Sequence, residues 1–369
     1  MEIQNISLQA EKVRKAKKNI RLNDGIADYY EALSVDYYDD KFHNRASAVK
    51  YCFKYWDVDY FTQQGIKDVL KVNRCRDLFC RNCQKQLAEE RFGKYVSVLK
   101  DLRKSFDLYH IVFTVPNCKA PELNDTLTQM YKKFIYINQY LQCKRKIKGL
   151  DLKQLGYNGA VRSLEITTKS TTNGIEYHPH FHTLFLFRKG IRFRGENKNQ
   201  FSYDNEHNRK TRTFNDFEIL LQKMWYLFYN EKKVSLKSLA ETGQGYSVVA
   251  DKFKGENDFK EVFKYSIKGP TAKGVRGLSY ETFKTLYRGL HRRKIIQGYG
   301  RLNKFTFDDG ITKEEIERIY SMMRDDLITQ EEPVRCISSL EDVLDDLENR
   351  PDIIYISKNK IRGEIKNER

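Results

Sequence analysis

Three of the chain's seven histidines fall within five residues, in the stretch HPHFHTLFLF at 178–187. Near neutral pH an imidazole can serve as an acid, a base or a metal ligand. In an extended strand successive side chains point to opposite faces. His178, His180 and His182 would then share one face, and Phe181, Phe185 and Phe187 the other. One side of such a strand can hold an ion while the other packs into a core. Two imidazoles two residues apart on a strand can grip one cation, and a third ligand must come from elsewhere. Glu165 is the candidate. It lies in a second extended run, AVRSLEITT at 160–168, where it shares a face with Val161, Ser163 and Thr167. A set of histidines and a carboxylate suits Mn²⁺ or Mg²⁺ acting on phosphate. On spacing alone, imidazoles that are merely solvated or hydrogen-bonded remain the competing reading.

The second cluster is CRDLFCRNC, which places Cys75, Cys80 and Cys83 close together, with Cys52 upstream. The N-terminal stretch MEIQNISLQAEKVRKAKKNIRL has no apolar core of the signal-peptide kind. Thiols grouped this way in a chain without a secretory signal favour zinc over disulfides. Four thiolates would close a tetrahedral structural site. Reduced core or surface cysteines, with an unrelated Cys52, are the alternative. Cys118, Cys143 and Cys336 stand alone and read as ordinary thiols.

A third constellation lies in NDFKEVFKYSIKG at 257–269, which reads as a helix stopped by Gly269 and Pro270. At about 100° per residue, Phe259, Val262, Phe263 and Ile267 make an apolar stripe. Glu261, Tyr265 and Lys268 fall on the opposite side, with Glu261 and Tyr265 one turn apart. A phenol beside a carboxylate, Lys264 and Lys268 is a candidate nucleophile for phosphorus. In a chain with 24 tyrosines, an ordinary surface tyrosine is the alternative.

These residues need elements to hold them. SFDLYHIVFTVPN at 105–117 reads as a strand ending at Pro116. A helix follows, with Leu123, Leu127, Met130, Phe134, Ile137 and Leu141 at helical spacing. The runs at 160–168 and 178–187 are two further strands, and FNDFEILLQKMWYLFY at 214–229 is a helix. Residues 188–213 are polar and basic and read as a mobile loop. Strands and helices in this order predict an α+β fold with a mostly antiparallel central sheet flanked by helices.

Charge points to the partner. The net charge is +17 over 369 residues. Residues 306–352 carry a net −10 and residues 353–369 a net +3, which leaves +24 on residues 1–305. So basic a body, with aromatics interleaved among its Lys and Arg, fits nucleic acid better than a merely soluble surface. The acidic segment reads as short solvated helices that fold back on the body or hold a partner. No apolar run is long enough to span a membrane, so the expected location is the cytoplasm. No G-x-x-x-x-G-K-[ST] loop is present, and GQGYSV and GYGRLN read as turns.

Taken together, HIVFTVPN, then HPHFHTLF, then EVFKYSIK resembles the rolling-circle replication initiators of small bacterial plasmids. These belong to the HUH endonuclease class, named for His–hydrophobic–His. The resemblance runs from about residue 50 to 305, and the motifs are specific as a set. It implies an HUH nuclease domain over 105–305, after a basic region with a four-cysteine zinc element at 1–104; charge sets off an acidic, largely helical tail at 306–369. It implies that His180 and His182 bind a divalent cation, with His178 an extra. It implies Tyr265 as nucleophile, with Glu261 four residues before it, and a 5′-phosphotyrosine link that leaves a free 3′-OH. Glu165 is not fixed by the motif. The segment LYRGLHRRKIIQGYGRLNKF resembles the family's region after the nucleophile, and Arg288, Arg292, Arg293, Lys264 and Lys268 are expected DNA contacts. Single-stranded origin DNA, a host helicase and a polymerase are the implied partners of a monomer or dimer. The rival readings are a mobilisation relaxase or transposase of the same chemistry, and a non-catalytic zinc-containing DNA-binding regulator.

Overall fold

The computed structural model describes residues 8–84, 86, 87, 90, 101–193, 197–205, 208–254, 267, 268, 278–303, 313–328 and 331–358. The chain divides into two compact units, Met1–Glu89 with Asp308–Arg369, and Glu90–Phe307. Each is built on its own sheet, and the whole is α+β with mostly antiparallel pairing. Elements are numbered along the chain.

The first unit holds helices α1 (Ala10–Tyr37) and α2 (Lys41–Lys50), then strands β1 (Tyr55–Phe61) and β2 (Ile66–Val72). From the C-terminal part come α7 (Lys313–Asp325), β11 (Val334–Ser339), α8 (Leu340–Asn349) and β12 (Ile354–Ile356). The sheet runs β11-β1-β2-β12, so both outer strands come from the acidic segment. Val13 and Ile20 of α1 pack with Trp56, Val58 and Val69 of the sheet and Leu340, Val343 and Leu344 of α8. Phe61, Ile66, Ile316, Tyr320 and Ile356 form a second cluster beneath α7. Gly65, at φ +64°, closes the β1–β2 turn, and a Cβ there would lie 2.2 Å from the Asp352 carbonyl oxygen.

The acidic segment folds back on the N-terminal part, as one of its two expected roles had it, but through strands as well as helices. VRCISS and IYI are short and β-prone, and they cover the two outer edges of the β1–β2 hairpin. The boundary drawn at 306 from charge separates segments that share one sheet. The acidic side chains meet basic ones of the N-terminal part: Lys67 to Asp346 at 2.6 Å, Lys17 to Glu341 at 3.9 Å, and Arg14 to Glu348.

The second unit has strands β3 (Phe106–Thr114), β4 (Gly159–Thr171), β5 (Gly174–Arg188), β6 (Asn197–Asn205), β7 (Asn208–Phe214), β8 (Val248–Lys252), β9 (Ile267–Lys268) and β10 (Ile296–Gly300). Its helices are α3 (Leu123–Leu141), α4 (Asp216–Tyr229), α5 (Leu236–Glu241) and α6 (Tyr280–Leu290). The main sheet runs β10-β4-β5-β3-β8. The apolar spacing expected of α3 is realised, since Leu123, Leu127, Met130, Phe134, Ile137 and Leu141 are all buried. Phe134 meets Phe181 edge-on at 5.4 Å, and Trp225 of α4 meets Phe113 of β3 at 5.4 Å. The other face carries Leu108, Val161, Leu184, Leu186, Phe253 and Leu302 in a smaller apolar cluster.

Two expected elements differ. Part of the loop expected at 188–213 forms the β6–β7 hairpin, a separate two-stranded sheet. Its polar sequence lacks the apolar alternation that marks a half-buried strand. The helix expected over 257–269 gives way by Ile267, because Ile267 and Lys268 pair in parallel with Ile166 and Thr167 of β4. β10 covers β4 only as far as Ser163, and β9 takes up backbone groups further along the same strand. Residues 255–266, including Glu261, Lys264 and Tyr265, lie outside the described residues, as does the side chain of Lys268.

Candidate metal centre

β4 and β5 pair antiparallel with Glu165 opposite His180 and Ser163 opposite His182. This register puts the carboxylate between two imidazoles on one face. Glu165 Oε2 lies 2.6 Å from His180 Nε2 and 2.7 Å from His182 Nε2. Glu165 and His180 are buried, and His182 is half-buried. His178, opposite Thr167, stays outside this three-atom group, although its ring stands 5.3 Å from that of His180. Burial, followed by the neighbouring His180, lowers the pKa of His178 below the ordinary histidine range.

The donor set fits a divalent cation. The three ligand atoms lie within 4.8 Å of one another. The far nitrogen of each imidazole also has a partner. His180 Nδ1 is 3.2 Å from the His178 carbonyl oxygen. A carbonyl can only accept, so Nδ1 donates to it, which would leave the Nε2 lone pair to a cation held together with Glu165. His182 Nδ1 is 3.1 Å from His110 Nε2, and the two rings stack at 17°. When His182 donates to His110, its Nε2 lone pair is left to that cation as well. Two imidazoles and one carboxylate, oriented in this way, are a donor set for one divalent cation.

Sequence reading missed His110. Its only signal was its place at the start of HIVFTVPN, and nothing there shows which histidine it meets. The β3–β5 register sets Val112 opposite His182, which makes His110 the diagonal neighbour on the same face.

The cysteines form a second site, in the first unit. Cys52, Cys75, Cys80 and Cys83 have sulfurs within 4.8 Å of one another, and Cys52, Cys80 and Cys83 are buried. Each sulfur receives an N–H. Cys75 N donates to Cys52 Sγ at 3.4 Å, Arg76 N to Cys83 Sγ at 3.2 Å and Asp77 N to Cys75 Sγ at 3.4 Å. Asn23 Nδ2 donates to Cys80 Sγ at 3.3 Å. Arg76 takes the left-handed conformation, φ +54°, in the turn from which these three successive amides reach three sulfurs. Hydrogen bonds from Cys52 and Cys75 pull the Cys83 thiol down, while hydrogen bonding with Cys52 holds Cys75 and Cys80 up. Four sulfurs in this geometry suit zinc in a closed structural site.

Among the expected DNA contacts, Arg288 and Arg292 are exposed. Arg293 is engaged within the protein. Its Nε donates to the Gly289 carbonyl at 2.6 Å, and its Nη2 to Asn124 Oδ1 at 2.8 Å and Thr128 Oγ1 at 2.9 Å. It ties α6 to α3.

Residues 67–206 match the family model described as replication protein. Over these residues the chain is similar to that family. The match spans Glu165, His180, His182 and three of the four cysteines, and ends before Tyr265. A curated relative, "Protein rep" of a Bacillus species, is 24% identical over 166 residues, which is 44% of this chain and 50% of that protein. The chain thus spans about half the length of that relative. No solved structure matches. Among the described residues no helix is long and apolar enough to cross a membrane.

Proposed function

We propose that this protein is an HUH-class replication initiator that nicks and rejoins single-stranded origin DNA by tyrosine transesterification. The observation that carries the reading is the convergence of Glu165, His180 and His182 on one face of an antiparallel sheet, inside the stretch that matches the replication protein family. A second observation supports the nucleophile. Ile267, two residues after Tyr265 in sequence, pairs with Ile166, the neighbour of Glu165.

In this reading Glu165, His180 and His182 would hold Mn²⁺ or Mg²⁺, which would supply positive charge against the scissile phosphate. Tyr265 attacks phosphorus through its phenolic oxygen, giving its proton to solvent. The P–O3′ bond breaks, a 5′-phosphotyrosine ester forms, and the departing O3′ takes up a proton. The new ester is close in energy to the bond it replaces, so rejoining needs no nucleotide hydrolysis. The 3′-OH primes synthesis by a host polymerase, with a host helicase opening the duplex. Glu261 activates the water of the terminating cleavage. The four-cysteine site holds zinc as a structural element.

The test is a covalent adduct with a single-stranded origin oligonucleotide in Mn²⁺. Wild type forms it, and peptide mapping places it on Tyr265. Tyr265→Phe removes only the attacking oxygen, so it folds and binds DNA but forms no adduct. Glu261→Ala forms the adduct and fails to release it to water. A wild-type protein that forms no adduct supports the regulator reading instead. An adduct that survives Tyr265→Phe moves the nucleophile elsewhere.

A further inference from the structure

A second concentration of positive charge lies away from the histidines. The loop after α3 reads KRKIKGLDLK at 144–153, with five cations and one carboxylate. It is a built loop. Cys143 leaves α3 in the left-handed conformation, and Ile147 and Leu150 form an isolated bridge. Ile147 and Leu152 are buried beneath it. Gly149, at φ +85°, turns the tip against Leu236 of α5, where a Cβ would come within 2.6 Å of Leu236 Cδ1. That contact brings in Lys232 and Lys233, about 80 residues on in sequence and both exposed. Together with Tyr140 the loop lines a half-open cavity of about 460 Å³.

Among the described residues the charges on this loop have no counter-ions. Lys144, Arg145, Lys146, Lys148 and Lys153 are exposed, and none makes an ion pair among the described residues. Asp151, the one acid of the loop, accepts from the Lys153 backbone N–H at 2.9 Å. The bland account is that bases following α3 offset the negative end of its dipole. It serves for Lys144 and Arg145, which follow the last turn directly. It does not reach Lys146, Lys148 and Lys153, because the dipole's effect fades within one turn.

We propose that this loop is a separate site for the phosphate backbone of duplex DNA. Single-strand binding uses open aromatic rings on which bases stack. Neither 144–153 nor 230–237 contains an aromatic residue. The nearest rings are used within the protein: Tyr140 lies 5.3 Å from Phe228, and Tyr136 carries the Arg145 guanidinium at 4.5 Å. Cations without stacking platforms recognise phosphates and not bases. The loop precedes β4 in the chain and shares no residue with the histidine group. Glu165 lies six residues into β4 from Gly159, about 20 Å at 3.3 Å per residue. Two separate sites let one origin present a cleavable single strand at one and flanking duplex at the other. The proposal rests on DNA being the partner and not on the tyrosine chemistry.

The experiment uses full-length Lys146→Gln/Lys148→Gln, two exposed changes that leave the core untouched. Dissociation constants are measured across a salt series, for a blunt origin duplex and for a short single strand covering only the nick site. The expected result is at least a tenfold weaker duplex Kd, a salt slope smaller by roughly two, and single-strand affinity and adduct yield within twofold of wild type. An unchanged duplex slope overturns the proposal. So does an equal loss on both ligands, or a loss on the single strand alone. Adduct formation is read separately, so failure of the nuclease reading is distinguishable from failure of this one.

Discussion

His110 and His178 both neighbour the proposed ligand pair, but they touch it through different atoms. His178 contributes its backbone carbonyl to His180 Nδ1, and any residue at 178 retains that carbonyl. His110 contributes its ring to His182 Nδ1, and removing the ring frees His182 to turn or change tautomer. Partners of this outer kind affect metal affinity by about 10–100-fold. His110→Ala should therefore weaken Mn²⁺ binding by about that factor, His110→Gln should restore part of it, and His178→Ala should change it little. Calorimetric titration of Mn²⁺ into the metal-free protein reads this without reference to cleavage. Equal losses for His110→Ala and His178→Ala would contradict the assignment. His180→Ala and His182→Ala should abolish nicking while single-strand binding persists, since that rests on Lys, Arg and aromatics.

Helix α1 runs along the cysteine site and meets it repeatedly. The Ala16 carbonyl accepts from Asn82 Nδ2 at 3.3 Å, and Asn19 Nδ2 donates to Asn82 Oδ1 at 2.9 Å. Asn23 accepts from Arg81 N at 2.8 Å while donating to Cys80, and Tyr30 donates to Asp77 Oδ2 at 2.8 Å. Three- and four-residue steps keep these groups on one helix face. The helix therefore depends on the cysteine loop for a row of polar contacts, and the loop depends on its metal. Freshly purified protein should carry one tightly held zinc by native mass spectrometry. Cys80→Ser should lose it and lower the melting temperature of the first unit, since binding energy is folding energy in such a site. Asn23→Ala should keep the zinc but cost about 1–3 kcal/mol, because the change leaves buried groups without partners. Fresh protein without zinc would remove the basis for both expectations.

At the scale of the whole chain, the acidic segment behaves as structure. Removing residues 333–369 would strip β11 and β12 from the outer edges of the first sheet and uncover Val58, Val69 and Trp56. Open strand edges beside apolar surface invite association. Chain 1–332 should therefore aggregate or melt well below the full-length protein. A detachable regulatory tail gives the opposite outcome, a soluble 1–332 with tighter DNA binding. Size-exclusion chromatography and a thermal melt separate the two.

Much of the site could be read from local sequence. Alternation along 178–187 was enough to set three imidazoles against three phenylalanines, because strand geometry leaves a side chain only two faces. Helical spacing identified the buried face of α3 for the same kind of reason, and close spacing of cysteines brought sulfurs together. Other features depended on register and on pairing between distant segments. Glu165 meets His180 and His182 because β4 aligns with β5 at that step, and a slip of one residue would turn it to the other face. His110 joins them through β3, about 70 residues before His182 in sequence. Ile267 left its expected helix because β4 offered unfilled backbone groups, which no local periodicity records. The acidic segment looked solvated because charge dominates its composition, yet VRCISS and IYI find their partners about 280 residues away. Short-range preferences act within a few residues of the chain, whereas sheet edges and buried faces are completed by whatever segment the folded molecule brings to them.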